Sequence, residues 1–361
     1  MKLLSFFFPL LLLPLVLLPP TKKPVPFPAR GANTSRNVFR NPLKLDGADP
    51  CLTYHRGWYY LSTTTGIDIR IRRAKRLAEL KDARDQVVWK DDHPDRFRDL
   101  WAAEFHRLPG ANGPRWYMYY TASDGKEGDT HHRMFVLESA GDDPLGPYSF
   151  KAKLKTDPDD AQYAIDGTVL RLPSGVLYFL WCGRPSPAGQ GLYISRMTNP
   201  WTLTGERVYL PADGFGCPHV REAPVTLQKG NKVHLIYSAC AADTPDYKLG
   251  VLTADAGGNL LAPASWKQHP VPVFARVDQH GVFGPGHNFF FQSPDGKEDW
   301  IVYHAKSGMA ATYGDRSTRA QRFTWTPDGQ PDFGLPIALD TAIPSPSGEP
   351  PAAPQTGEKR Q

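Results

Sequence analysis

Cysteine is scarce in this chain, with 4 among 361 residues. None of Cys51, Cys182, Cys217 and Cys240 stands at a metal-site spacing such as Cys-x-x-Cys, which excludes a zinc ribbon and a disulfide-dense scaffold. The four fit either bridges or small buried thiols. The one bridge the sequence favours joins Cys217 to Cys240, which flank one expected hairpin. There is no Gly-x-Ser-x-Gly, no Gly-rich phosphate loop ending in Gly-Lys-Ser/Thr and no His-Glu-x-x-His, so three common catalytic frameworks are absent. No stripe of Lys and Arg interleaves with aromatics and the net charge of +5 is modest, so no nucleic-acid partner is expected. The one basic run, from Arg70 to Arg76, reads as a solvated face or loop. Helical periodicity is also rare, and its best candidate runs from Ala74 to Arg84.

Long apolar runs are absent except at the start. Residues 3–18 are apolar apart from Ser5, but Pro9 and Pro14 break them, and the run is short for a membrane span. Residues 1–20 are therefore expected to be a signal peptide of a secreted protein, periplasmic if the host is Gram-negative. A Pro-rich linker over 21–40 follows, and a disordered Pro/Ser-rich tail is expected over 341–361. No stable membrane insertion is expected after signal cleavage, and the sequence does not set the oligomeric state.

What is abundant is turn chemistry and aromatic strand, with Gly 32, Pro 36 and 12% aromatic residues. One pattern recurs: "DPCLTYHRGWYYLSTT" from Asp49, "EFHRLPGANGPRWYMYYTAS" from Glu104, "DGTVLRLPSGVLYFLWCG" from Asp166, "EAPVTLQKGNKVHLIYSA" from Glu222 and "HNFFFQSPDGKEDWIVYHA" from His287. Each is a polar residue, an apolar strand, a turn and a second, aromatic-rich strand. The starts lie 55 to 65 residues apart. That spacing suits four-stranded blades, so an all-β, five-bladed β-propeller over residues 41–340 is expected. In such a fold the innermost strands line a central channel, and the polar starters converge at one end of it.

Each starter also has a bland reading. Asp49-Pro50 and Asp166-Gly167 are ordinary turn pairs, Glu222 can pair with Arg221 at the surface, and His287 can be a core histidine. Their shared register favours a site. Carboxylates converging on one pocket point to glycoside hydrolysis, in which an acid protonates the leaving oxygen and a carboxylate delivers water or attacks directly. A further carboxylate nearby raises the pKa of the acid.

The segments "NPLKLDGADP", "WAAEFHRLPG", "YAIDGTVLRLPSGVLYFLW", "REAPVTLQKGNKVHLIYSA", "TPDYKLGVLT" and "GPGHNFFFQSPDGKEDWIVYHA" together resemble glycoside hydrolase family 43 over residues 41–339. The resemblance implies a five-bladed propeller and, within the family, is greatest to secreted α-L-arabinofuranosidases, including exo-acting enzymes on arabinan. It implies an inverting enzyme that releases L-arabinofuranose from arabinan or another arabinose-bearing cell-wall polysaccharide. Residue by residue, it implies Asp49 as general base, Glu222 as general acid and Asp166 as the carboxylate that tunes and orients the acid. Trp101, His287 and Arg316 would contact substrate. No cofactor is implied, although in some relatives an ion lies beside the channel-axis histidine, here His287. Two departures stand out: Ala103 where the family often has proline, and Cys217-Pro218-His219 ahead of the acid motif. A β-xylosidase or galactanase of the same family, or a non-catalytic carbohydrate-binding propeller, are the alternatives.

Overall fold

A computed structural model describes residues 38–186 and 189–352. The expected signal peptide, most of the linker and the end of the tail lie outside these residues. A two-residue strand, β1 (Val38–Phe39), comes first. Five antiparallel four-stranded sheets then follow in chain order. Blade one is β2 (Cys51–His55), β3 (Trp58–Ser62), β4 (Ile69–Ala74) and β5 (Gln86–Trp89). Blade two is β6 (Arg98–Gly110), β7 (Gly113–Ser123), β8 (Arg133–Ser139) and β9 (Tyr148–Lys153). Blade three is β10 (Ala164–Arg171), β11 (Leu177–Ser186), β12 (Gly189–Asn199) and β13 (Thr202–Leu210). Blade four is β14 (Arg221–Lys229), β15 (Lys232–Ala239), β16 (Lys248–Asp255) and β17 (Lys267–Gln268). Blade five is β18 (Phe283–Gln292), β19 (Asp299–Lys306), β20 (Ser317–Trp325) and β21 (Pro331–Asp332), and β22 (Ile343–Pro344) closes the series. The protein is a five-bladed β-propeller.

The core is not one mass but layers between neighbouring blades. Ile71 and Tyr60 meet Trp116 and Met118 between blades one and two. Tyr119 and Val136 meet Phe179 and Trp181 in the next layer, Leu192 and Ile194 meet Leu235 and Leu252 in the third, and Ile236 and Val251 meet Ile301 and Tyr303 in the fourth. Leu61, Trp300 and Val302 fill the closing layer between blades five and one. Burying each such side chain contributes roughly 1.5–3 kcal/mol. This is why the aromatic-rich second strand recurs in every repeat: it is the strand with both faces covered.

The ring closes where the two ends of the domain meet. The Asn41 side chain accepts from the Ala320 amide at 2.9 Å and donates to its carbonyl at 3.1 Å, imitating a strand neighbour. Lys44 bridges to Thr318, and β1 pairs with β22. Ordered chain therefore flanks the 41–340 body on both sides. The tail expected to be disordered is packed through much of its first part: Ile343 is buried, the Ser347 amide donates to Glu298, and Glu349 accepts from the Leu77 amide at 2.8 Å.

Two smaller expectations change. The helical candidate forms only a 3-10 turn at Leu77–Lys81. The basic run is neither a solvated face nor a loop: it is largely β4, with Arg72 and Arg76 buried. Arg72 makes paired bonds of 2.7 and 3.0 Å to Asp85 and so carries its counter-charge inward.

Candidate active site

All five innermost strands break at the same place. In β6, β10, β14 and β18, two residues oppose one on the second strand: Ala102-Ala103, Asp166-Gly167, Ala223-Pro224 and His287-Asn288. Asp49-Pro50 stands at the matching place ahead of β2, where the Thr64 amide reaches the Ala48 carbonyl. The first residue of each pair is left-handed, with φ of 53° at Asp49, 46° at Ala102, 55° at Asp166, 50° at Ala223 and 42° at His287. Such a conformation costs a non-glycine residue roughly 1–3 kcal/mol and is tolerated where the surroundings enforce it. The bulge turns its side chains away from the blade and toward the channel mouth.

This geometry corrects the repeat register. Glu222 comes one residue before its bulge, and Glu104 two residues after the start of its own. Blade two presents Ala102 where Asp49 and Asp166 stand, and Trp101 where Glu222 stands. Glu104 lies farther along the channel wall, buried and 2.8 Å from His106 Nε2.

Asp49 is buried. Its Oδ1 accepts from Arg316 Nη1 at 2.9 Å and lies 3.2 Å from His287 Nδ1. Its backbone amide donates to His304 Nδ1 at 3.1 Å. Burial opposes ionisation, but Arg316 and the two histidines outweigh it and hold the carboxyl well below the usual range. His304 is pushed down to about 4, chiefly by burial, so it is neutral at ordinary pH and accepts the Asp49 amide rather than forming an ion pair. Burial also lowers His287. Arg316 is aimed by its Nε, which donates to the Tyr313 carbonyl at 2.7 Å.

Asp166 and Glu222 form the opposite electrostatic case. The Asp166 amide donates to Thr121 Oγ1 at 3.2 Å, and its Oδ2 accepts from the Ala223 amide at 3.0 Å. Burial and the Glu222 charge push Asp166 well up. Burial pushes Glu222 up to about 7; Tyr247, whose hydroxyl donates to Glu222 Oε1 at 2.8 Å, pulls down and the Asp49 charge pushes up. Both carboxyls are thus pushed toward their protonated forms, and ionising one opposes ionising the other. Glu222 is the more exposed of the two at the mouth. Arg221 donates to the Ala212 and Pro218 carbonyls, so it is not the partner of Glu222.

Tyr247 and His304 went unassigned in the sequence, although they tie the two halves of the site together. Their rings stack with centroids 5.5 Å apart, so the support of Glu222 rests on the support of Asp49. Gly286 makes room for this: a Cβ there would meet the Tyr247 ring at 2.3 Å. Trp101 stacks on His132, centroids 4.2 Å apart, at the mouth beside blade three. Cys217 and Cys240 form a disulfide that fastens the loop ahead of Glu222, whereas Cys51 and Cys182 are free and buried. A cavity of about 270 Å³ lies farther along the channel between His106, Arg171, Gln228 and Phe289. It contains none of the three carboxylates and is not the site described here.

A carboxylate kept ionised, facing a carboxyl kept protonated, is the arrangement that acid–base glycoside cleavage requires. The profile of glycosyl hydrolases family 43 matches residues 39–331. The chain belongs to glycosyl hydrolase family 43. Similar chains include an extracellular exo-alpha-(1->5)-L-arabinofuranosidase of Streptomyces avermitilis, 36% identical over 319 residues, covering 83% of this chain and 64% of the relative. Alpha-L-arabinofuranosidase 43 of Humicola insolens is 35% identical over 317 residues, with coverage of 83% and 64%. The chain thus spans less than two thirds of the length of these curated relatives. The crystal structure of an alpha-L-arabinofuranosidase from Lactobacillus brevis superposes with a TM-score of 0.77 at 32% identity, covering 84% of this chain and 98% of that one.

Proposed function

We propose that the protein is an inverting glycoside hydrolase that releases L-arabinofuranose from arabinan or another arabinose-bearing plant cell-wall polysaccharide. The observation that carries this reading is the contrast between two buried carboxyls: Asp49 is bonded to Arg316 at 2.9 Å and held low, while Glu222, bonded to the Tyr247 hydroxyl at 2.8 Å, is raised to about 7 beside an Asp166 that is itself pushed up. In the proposed reaction Asp49 accepts a proton from a water as that water attacks the anomeric carbon. Glu222 delivers its proton to the departing glycosidic oxygen, and Asp166 holds the acid in place and in its protonated form. Arg316 and His287 fix the base, and Trp101 supplies an apolar face to the sugar. The names of the relatives support arabinose as the product. The disulfide suits an oxidising compartment and supports secretion.

The reaction uses no cofactor. Among the described residues no group of three or more His, Cys, Asp and Glu could hold a metal, and His287 Nδ1 faces Asp49 at 3.2 Å. No step of the proposed reaction passes through a metal. Exhaustive treatment with a chelator is expected to leave kcat unchanged; a loss restored by a divalent ion would contradict this.

The deciding experiment is product analysis on linear arabinan, arabinoxylan, xylan and galactan, with NMR of the first product formed. Free arabinose of inverted configuration is expected. Xylose or galactose as the product would move the enzyme to another activity of its family, retention would remove Asp49 as base, and no product from any glycoside would leave a carbohydrate-binding propeller.

A further inference from the structure

At four of the five bulges the first amide points across to the preceding blade, where a side chain near the end of the second strand, or just past it, caps it. Thr64 Oγ1 of blade one accepts from the Ala102 amide at 2.8 Å. Thr121 Oγ1 of blade two accepts from Asp166 at 3.2 Å, and Ser238 Oγ of blade four accepts from His287 at 2.9 Å. His304 Nδ1 of blade five accepts from Asp49 at 3.1 Å. In register these capping residues are equivalent: Thr121 lies opposite Trp101, Ser238 opposite Glu222 and His304 opposite Gly286. The equivalent residue of blade three, opposite Ile165, is Cys182.

Blade three breaks the rule. The Ala223 amide is taken instead by Asp166 Oδ2, from blade three's own bulge. Cys182 is fully buried and free; its Sγ lies 3.7 Å from Gln190 Oε1 and 3.9 Å from the Gly183 carbonyl, and the Gly191 amide of the next strand also points to it. A thiol sulfur is a weak acceptor, whereas a hydroxyl or imidazole nitrogen in its place is a good one. The exception falls beside Glu222, where a carboxylate tethered to the next residue's amide is held against the acid.

We propose that Cys182 is a positioning residue for acid catalysis: by placing a poor acceptor at this one capping position, it leaves the Ala223 amide to Asp166 and so fixes that carboxylate beside Glu222. The inference rests on the reading of Asp166 as the partner of the acid. The groups that face Asp166 are Glu222 and the Ala223 amide from β14, Asp49 ahead of β2, Glu104 from β6, Tyr163 ahead of β10, Cys182 from β11, and Tyr247. Of these, the amide favours ionised Asp166 and the carboxylates disfavour it. A hydroxyl at position 182 would reclaim the amide, as Thr64, Thr121 and Ser238 do in their blades. Asp166 would then shift and, without the bond that favours its ionised form, support the protonated form of Glu222 less.

The test compares Cys182→Ser, Cys182→Thr and Cys182→Ala, with Asp166→Asn in parallel, by kcat/KM against pH on an arabinoside with a poor leaving group. Ser and Thr are expected to lower kcat/KM by about tenfold to a hundredfold, since displacing a catalytic group by ~1 Å has that order of effect. They should also move the alkaline limb to lower pH. Ala offers no acceptor, leaves the tether intact and is expected to retain most of the activity. A packing role for Cys182 gives the opposite order, because Ser keeps the volume that Ala loses. Ala as damaging as Ser, or Ser indistinguishable from the parent, overturns the proposal. A crystal structure of Cys182→Ser gives a second measurement: Ser Oγ should lie within hydrogen-bond distance of the Ala223 amide, and an unchanged Asp166–Ala223 bond would also overturn it. If Asp166→Asn is itself fully active, the reading of Asp166 fails. If Asp166→Asn is impaired while Cys182→Ser is not, the inference about Cys182 alone fails.

Discussion

Glu222 illustrates how a single side chain is set for its task. A carboxyl pushed to about 7 holds its proton where a free glutamate has lost it, and activity that needs that proton falls as pH rises through this value. The direction of each neighbour's effect follows. Tyr247→Phe removes a hydrogen bond that favours the ionised form, so the alkaline limb of kcat/KM should move to higher pH. Asp166→Asn removes the like charge across the site, so the same limb should move to lower pH. Arg316→Met relieves Asp49 of its main stabilising charge; its pKa rises, and the acid limb should move up. Limbs that move in other directions would reassign the titrating groups. The roles also separate by substrate. Glu222→Gln should slow a polysaccharide far more than an activated aryl arabinoside, because only the poor leaving group needs protonation, with losses of about 10²–10⁴. Asp49→Asn should slow both alike. Rates on the two substrates, measured for both variants, check this, and the reverse pattern would exchange acid and base.

At the level of the strand, the organising device is the bulge with its cap. The repeats were legible because turn residues and aromatic strands recur at similar spacing, and Asp49, Asp166 and His287 do occupy equivalent bulges. Glu104 and Glu222 were misaligned because the two residues of a bulge oppose one, and counting polar starters does not reveal which residue takes the left-handed conformation. The caps had a signal that counting starters passed over. A residue of the capping register stands near the end of every second strand or just past it, and in four of them it precedes a small residue, in "YTA", "WCG", "YSA" and "YHA". What could not be read was the jump of the Ala223 amide to Asp166, which depends on atoms from two blades. The cap itself should be measurable. Thr121→Val keeps the shape of the side chain but leaves the Asp166 amide without its acceptor, at a cost of about 1–3 kcal/mol. The expected result is a lower melting temperature together with reduced kcat. Unchanged stability would mean that water or another group takes the amide.

For the molecule as a whole, five blades in sequence must still be closed, because the last inter-blade layer joins chain segments far apart in sequence. Residues 41–48 and β1 seal it on one side, and the tail seals it on the other, contrary to what its Pro/Ser-rich composition suggests. The reason is local. Ile343 buries its side chain against blades five and one, the Ser347 amide satisfies Glu298, and Glu349 satisfies the amide of Leu77 on the 3-10 turn. Composition reports the mean polarity of such a stretch, while a few well-placed side chains decide whether it packs. Ending the chain after Asp340 removes all three contacts and the β1–β22 pair. Loss of the Ile343 burial alone forfeits roughly 1.5–3 kcal/mol; the Leu77 amide loses its Glu349 acceptor besides, and Glu298 loses one of its donors. None of the described residues removed bonds to Asp49, Asp166 or Glu222, so kcat at a temperature well below the transition should match that of the full chain. The melting temperature should fall by several degrees, since about 1 kcal/mol corresponds to ~2–4 °C even in a somewhat smaller domain. Thermal unfolding of the two forms, with activity assayed alongside, decides it: an unchanged melting temperature would show that the tail does not hold the ring closed.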